Sequence, residues 1–253
     1  MSPIATTLVA FACAFGGALL GMRVRAALPE HHLEDDARAV IRLSIGLIAT
    51  MAALVLGLVI GTAQGSYDMQ DEAVKHSAAK ILLLDSVLAD YGPETNAIRE
   101  LLRQTVAERF EAIWRADRAS GPQLGTPESA LKAHQIGTRL LQLSPRDENQ
   151  RWLHTEALRI SSDIAETRWL VIGNLGSAIP PPFLVIVVFW LTIIFVSFGL
   201  FAPRNATVIV VLFLCPLAVA GSIFLILEMD QPFDGLIRIS GAPMEYAVAH
   251  LGP

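Results

Sequence analysis

The sequence predicts an all-α membrane protein with four membrane-spanning helices in two hairpins and a helical bundle inserted between the second and third spans. Of its 253 residues, 53% are hydrophobic and 17% are charged. Asp, Glu, Lys and Arg are absent from four blocks that total 105 residues, namely 1–22, 43–67, 169–203 and 205–227. Uncharged blocks of about 20 residues have the length of a membrane-spanning helix. This pattern excludes a soluble globular or disordered chain, and the net charge of −5 excludes a highly basic nucleic-acid binder.

The spans follow from these blocks in chain order. They are 4–22, 43–63, 183–202 and 206–227. Each must be helical, because lipid offers no hydrogen-bond partner to an open backbone amide. Pro203, Arg204 and Asn205 leave room only for a tight antiparallel turn between the last two spans. Pro216 lies inside the fourth span and predicts a kink there, because proline removes one amide donor.

The second span has small residues at a spacing of four, which places Ala49, Ala53, Gly57 and Gly61 on one helical face. Such a face lets another backbone approach closely where no hydrophobic effect drives association. Two interpretations are open. The face packs within the subunit, or it faces a second subunit or a pore. The first span repeats the pattern with Cys13, Gly17 and Gly21.

The segment 68–168 has a different composition, with 16 acidic and 13 basic residues, which predicts a solvated bundle. Helix ends are predicted at Gly92-Pro93 and Gly121-Pro122, and helix starts at Thr126-Pro127 and at Ser144-Pro145 with Asp147. The predicted domains are therefore a first hairpin (1–67), the bundle (68–168), an interfacial segment with the second hairpin (169–227), and a C-terminal interfacial tail (228–253).

Basic residues near the spans bear on the orientation of the chain. Five lie on the hairpin loops, namely Arg23, Arg25, Arg38, Arg42 and Arg204, and three lie on the other side, namely Lys75, Arg168 and Arg238. Because basic residues concentrate in cytoplasmic loops, this count places the bundle outside the cytoplasm.

One loop has the residue types of a metal site. His31, His32 and Glu34 are potential ligands for a divalent transition metal, and a metal there would be needed for an enzyme. The alternative is a solvated loop whose carboxylates favour the start of the next helix. We favour the loop, since neighbouring residues cannot all point at one ion. No catalytic motif occurs elsewhere, so we expect neither an enzyme nor a cofactor.

Glu228 and Asp230 directly follow the fourth span. A carboxylate at membrane depth is unfavourable and is by default a functional candidate. In the headgroup zone, by contrast, Glu228 would simply end the helix. Both interpretations are open at this point.

Several stretches together resemble a known family. They contain Pro29, Glu30, His31, His32, Ser66, Tyr67, Asp68, Arg204, Asn205, Glu228, Asp230, Pro232 and Phe233. These residues are similar to the opening and closing signatures of a bacterial membrane-protein family of unknown function, called bestrophin-like. The resemblance covers essentially the whole chain and implies a multi-pass protein of the bacterial plasma (inner) membrane.

The family name implies similarity to bestrophins, which are pentameric anion channels with four spans, a helical insertion and a pore lined by the second span. Here the second span has no Phe to match the aromatic constriction of bestrophins, and their acidic calcium site is missing. Bestrophins place the insertion in the cytoplasm, opposite to the side that the basic residues indicate. The resemblance therefore leaves the orientation open.

Two functional hypotheses follow. The first is a homo-oligomeric ion channel, for a small anion, with the second span at the pore. The alternative is a membrane-anchored sensor or scaffold whose bundle binds a partner or a small ligand. Both have the lipid bilayer as their environment, and neither involves nucleic acid.

Overall fold

A computed structural model of the chain describes residues 2–27, 35–115, 127–173, 178–203 and 205–252. These residues form eight α-helices and no β-strand, which confirms the predicted all-α class. The helices are α1 (Pro3–Ala27), α2 (Asp35–Tyr91), α3 (Asn96–Phe110), α4 (Pro127–Leu141), α5 (Glu148–Gly173), α6 (Pro181–Phe201), α7 (Ala206–Met229) and α8 (Ala242–His250).

Four of the described helices, α1, α2, α6 and α7, are long and apolar enough to cross a membrane. This confirms the four predicted spans, whereas their arrangement in two hairpins stays a prediction. Pro216 is buried inside α7, and the kink expected at this residue also stays a prediction.

The second span extends well beyond its predicted end. α2 is a single helix of 57 residues, and it passes the predicted domain boundary at 67/68 without interruption. The segment has no proline, and Gly61 and Gly65 disfavour a helix by only about 1 kcal/mol each. Composition changes at this boundary, but no residue there stops a helix.

The described chain divides into two compact units. The first, called the apolar unit here, comprises Met1–Ser66 and Ser177–Asp230. The second, the bundle unit, comprises Tyr67–Gly176 and Gln231–Pro253. The C-terminal segment, interpreted above as an interfacial tail from residue 228, thus belongs to the bundle unit from Gln231 onwards.

In the apolar unit, α1 packs against α6 and α7. Its buried face contributes Ala14, Ala18 and Met22 to a cluster with Phe195 and Leu212. The glycines of α1 allow a close approach, because a Cβ atom on Gly21 would clash with the carbonyl oxygen of Val196. A Cβ on Gly199 of α6 would clash in the same way with the carbonyl of Ala18. The two helix backbones therefore touch directly.

A second cluster of the apolar unit joins α2 to α7. Val59 and Ala63 of α2 pack with Ile179 and Ile226. Near the end of α7, Glu228 is only 4% exposed. The carboxylate of Asp230 accepts a hydrogen bond from the amide of Ala178 at 2.8 Å.

The bundle unit has its own apolar core. The core contains residues from α2, α3, α4 and α5, with Leu84, Leu88, Leu140 and Ile160 at its centre, and Leu251 beyond α8 packs into it. Burying side chains of this size contributes about 1.5–3 kcal/mol each. The C-terminal residues are thus part of the folded bundle.

The helix ends of the bundle unit agree with the predicted signals that fall on described residues. Gly92 has φ +132°, a conformation that residues with a Cβ rarely adopt, and α2 ends directly before it. The carboxylate of Asp147 accepts the amide hydrogen of Gln150 at 2.7 Å, which caps the start of α5. The predicted end at Gly121-Pro122 lies outside the described residues.

Candidate functional site: a two-arginine pocket

The bundle unit contains a cavity of about 60 Å³. Its walls come from α2, α3, α5, α8 and two connecting segments. The lining residues are Ala73, Val74, Ser77, Ile81, Val106, Arg109, Phe110, Ile113, Trp114, Ile164, Arg168, Val171, Phe233 and Met244. Most of these side chains are aliphatic or aromatic, so the pocket is apolar with a few polar groups.

Helical spacing brings the two arginines of the lining into the pocket. On α3, Val106, Arg109 and Phe110 lie on one face, and on α5 Ile164 and Arg168 do so, because residues three or four apart in sequence are neighbours on a helix. Each arginine thus shares its face with apolar residues that pack inwards. In both cases a guanidinium is carried into an apolar environment.

A π-helical turn, Glu111–Arg115, follows α3 directly and positions an indole ring in the wall. Trp114 stacks on Phe110 with ring centroids 5.6 Å apart, and its Nε1 donates a hydrogen bond to the carbonyl of Ile239 at 3.0 Å. Phe233 meets the indole edge-on at 6.4 Å. π-turns inside helices are frequent at functional sites.

The electrostatics of the pocket are unbalanced. None of the described residues that line it is acidic, and neither Arg109 nor Arg168 has a hydrogen-bonding or ionic partner among the described residues. The Nε of Arg168 is buried without a hydrogen-bond acceptor there, while its guanidinium carbon lies 5.8 Å from the ring centroid of Trp169. Among the described residues, the pocket therefore contains two cations without a neutralising partner.

The pKa values of both arginines reflect this environment. Burial, assisted by the charge of Arg168, lowers the pKa of Arg109 from 12.5 to about 10. Burial also lowers the pKa of Arg168. Both groups remain cationic at neutral pH, but burial disfavours their charged forms.

Other arginines of the bundle unit differ sharply. Arg99 of α3 forms a two-point ion pair with Asp85, with Nε–Oδ1 and Nη2–Oδ2 distances of 2.8 and 2.9 Å. This pair raises the pKa of Arg99, chiefly through the hydrogen bonds. Arg103, one turn further along, is paired with Glu100 in the same way. The lack of a described partner at Arg109 is thus not typical of α3.

The signature residues of the sequence are divided between the two units. Phe233 is 7% exposed and lines the pocket. Tyr67 packs in the same small cluster, and its hydroxyl donates to the carbonyl of Arg238 at 3.3 Å. Pro232 is buried nearby, and its carbonyl accepts from the amide of Ile239 at 2.9 Å. The structure thus brings together Tyr67 and the closing signature.

The other signature residues that the structure describes do not line the pocket. In the apolar unit, Ser66 is half-buried on α2, Asn205 precedes α7 and accepts the amide hydrogen of Val208 through its carbonyl, and Glu228 and Asp230 lie at the end of α7. Asp68 is exposed on α2. The residues Pro29, Glu30, His31, His32, Glu34 and Arg204 lie outside the described part of the chain.

The metal hypothesis therefore concerns residues that the structure does not describe. Among those it does describe, no group of three or more His, Cys, Asp or Glu side chains could hold a metal ion. The loop with His31, His32 and Glu34 stays a weak candidate from sequence alone.

The small-residue face of α2 is open within the chain. Ala53, Gly57 and Gly61 are exposed, and Ala49 is half-buried. A Cβ atom added to Gly57 or Gly61 would meet no atom of the described residues within 4 Å. Of the two interpretations of this face, packing within the subunit finds no support at these two glycines, and contact with another subunit or a pore stays a prediction.

Sequence reasoning did not identify the pocket. From the sequence, Arg168 was considered only as a basic residue near a membrane span, and Arg109 was not considered. The available signal was the position of Arg109 on the apolar face of α3, between Val106 and Ile113. That signal is weak, because arginine stems often cover apolar surface while the charge reaches water.

The fold and the site together define an integral membrane protein with four apolar helices and a helical bundle that contains a cationic pocket. The family model described as the Bestrophin-like domain matches residues 12–244, and the chain therefore belongs to the bestrophin-like family. No curated protein and no solved structure matches the chain.

Proposed function

We propose that this membrane protein of the bestrophin-like family is a homo-oligomeric channel for small anions in the bacterial plasma membrane. In this proposal α2 lines the pore with the face that contains Ala49, Ala53, Gly57 and Gly61. The proposal assigns the chain neither a catalytic role nor a cofactor.

The open face of α2 is the observation that carries the proposal. One side of the helix is buried through Ala52, Val59 and Ala63, while Gly57 and Gly61 contact no other part of the described chain. A stripe of small residues allows close packing around a narrow conduit or against another copy of the helix. Oligomers around a symmetry axis bring the same face of each copy together.

The charge distribution supports an anion rather than a cation. Residues 43–67 contain no Asp or Glu, whereas cation-selective pores are lined by rings of acidic side chains. The family also supports the proposal, since its name refers to similarity with anion channels.

The test is chloride efflux from liposomes that contain the purified chain, compared between two variants. Gly57→Leu adds a large side chain to the open face and should remove most of the flux. Gly221→Leu is the matched control: Gly221 is exposed on α7, and a Cβ there also meets no described residue within 4 Å. This variant should conduct like the wild type.

Mass measurement in a mild detergent should show an oligomer for the wild type and for Gly221→Leu. A monomer without chloride flux would overturn the proposal and leave the membrane-anchored sensor as the hypothesis to pursue. Equal flux in the wild type and Gly57→Leu would show that α2 does not line the pathway.

A further inference from the structure

We propose that the two-arginine pocket binds a small organic carboxylate, with its charged end at Arg109 and Arg168 and its apolar body against Phe110, Trp114 and Phe233. The inference goes beyond the channel proposal and does not depend on it, because it concerns a cavity of the bundle unit alone. The ligand can equally be a free metabolite or the carboxylate end of a larger molecule, since the chemistry recognised is the same.

The charge of the two arginines has no compensating group among the described residues. Two cations share an apolar cavity, no described lining residue is acidic, and one buried nitrogen, Nε of Arg168, has no acceptor among the described residues. Buried charges are normally paired, because an isolated charge in an apolar environment is strongly unfavourable. An anion in the pocket would provide both the missing charge and the missing acceptor.

The guanidinium groups and the lining side chains also determine the chemistry of the anion. The guanidinium group presents parallel N–H donors in a planar fork that matches a carboxylate. Apart from Ser77, the remaining lining side chains are apolar, and they offer little to a fully hydrated inorganic ion. A hydrocarbon group attached to the carboxylate would instead gain free energy by leaving water. The walls and the two arginines together therefore select an organic carboxylate.

The cavity also limits the size of the ligand. One buried water needs about 10–15 Å³ of such a cavity. A volume of about 60 Å³ therefore accommodates about four to six non-hydrogen atoms, the range from acetate to butyrate. A longer chain would have to extend out of the pocket.

The test is titration calorimetry of the full chain in a non-ionic detergent, with sodium butyrate as the probe. Butyramide is the matched neutral compound, because it has the same body without the charge. We expect saturable binding of butyrate and none of butyramide. Sodium chloride and sodium nitrate at equal concentration should not displace butyrate.

Four variants examine the residues of the pocket. Arg109→Gln and Arg168→Gln should each weaken butyrate binding about tenfold or more, since a hydrogen bond to a charged group is worth about 1.5–3 kcal/mol. Arg103→Gln is the control, because Arg103 lies on the same helix but is exposed and paired with Glu100. Ala73→Leu retains both arginines and fills the cavity, so it should also abolish binding.

The inference is overturned by any of four results: no saturable binding of butyrate to the wild type, equal binding of butyramide, displacement by chloride or nitrate at equal concentration, or unchanged binding in Ala73→Leu. Helix content and the unfolding midpoint of every variant are measured alongside. Because Ala73→Leu places a good helix former on α2, it tests the pocket even if an arginine variant fails to fold. Chloride flux is not part of the experiment, so its outcome is separate from that of the channel proposal.

Discussion

Two helices of the apolar unit have small residues at the same spacing, yet only one uses them within the chain. On α1, Gly17 and Gly21 lie against α6, where the backbones touch and a Cβ on Gly21 would clash with Val196. On α2, a Cβ added to Gly57 or Gly61 would meet none of the residues that the structure describes within 4 Å. The sequence pattern is the same, and only the presence of a partner helix distinguishes a packed face from an open one.

The same contrast occurs among the arginines of α3 in the bundle unit. Arg99 and Arg103 have carboxylate partners, whereas Arg109, two turns further along, has none among the described residues. In both comparisons one member has a partner within the described part of the chain, whereas the other has none there. Substitutions distinguish these cases. Replacing a residue that has a partner within the described chain should change stability, whereas replacing one without such a partner should change binding or assembly.

The largest effect is expected at the packed face. Gly21→Leu should lower the free energy of unfolding of the apolar unit by about 3 kcal/mol or more, because the added side chain forces α1 away from α6. Thermal unfolding in detergent measures the effect. Gly16→Leu is the control on the same helix, since Gly16 is exposed and a Cβ there meets nothing within 4 Å. Equal stability of the two variants would contradict the close contact of α1 and α6.

The next largest effect is expected at the satisfied arginine. Asp85→Asn leaves Arg99 without its carboxylate and also affects the amide of Gly252, which donates to Asp85 at 3.2 Å. Breaking a buried ion pair from one side costs about 3–5 kcal/mol. We expect the free energy of unfolding to fall by about 3 kcal/mol, near the lower end of this range. The reason is that both side chains keep some exposure, 14% for Arg99 and 9% for Asp85.

The control for this pair is Glu100→Gln, which breaks the exposed pair with Arg103. Exposed pairs contribute about 0.2–1 kcal/mol, so this variant should unfold at almost the wild-type temperature. An equally small effect of Asp85→Asn would show that the Asp85–Arg99 pair does not stabilise the bundle.

Features that depend on neighbouring residues could be predicted from the sequence, whereas features that depend on distant segments could not. The spans, the helix end at Gly92 and the cap at Asp147 depend on neighbouring residues, and the sequence predicted them. The length of α2 was missed, because a change from apolar to charged composition indicates a new environment but does not interrupt a helix. Neither the missing partner of Arg109 nor the open face at Gly57 could be read from local sequence, since both depend on which distant segments pack nearby.

A smaller effect, of opposite sign, is expected at the arginine without a described partner. Arg109→Met should raise the free energy of unfolding of the unliganded protein by about 1 kcal/mol, because it replaces a partly buried charge that has no partner among the described residues with an apolar side chain of similar length. Thermal unfolding in buffer without carboxylates measures this gain. A clear loss of stability would mean that the guanidinium is compensated within the chain, and the comparison with Arg99 would fail.

The smallest effect on stability is expected at the open face. Gly57→Leu should change the free energy of unfolding of the monomeric chain by no more than about 0.5 kcal/mol, since exposed substitutions away from packed features rarely do more. In a monomerising detergent, its unfolding midpoint should therefore stay close to that of the wild type and far above that of Gly21→Leu. If other copies of α2 cover this face in an oligomer, the same substitution should lower the oligomeric fraction in lipid. Instability of the monomer would instead show that the face packs within the chain, as it does on α1.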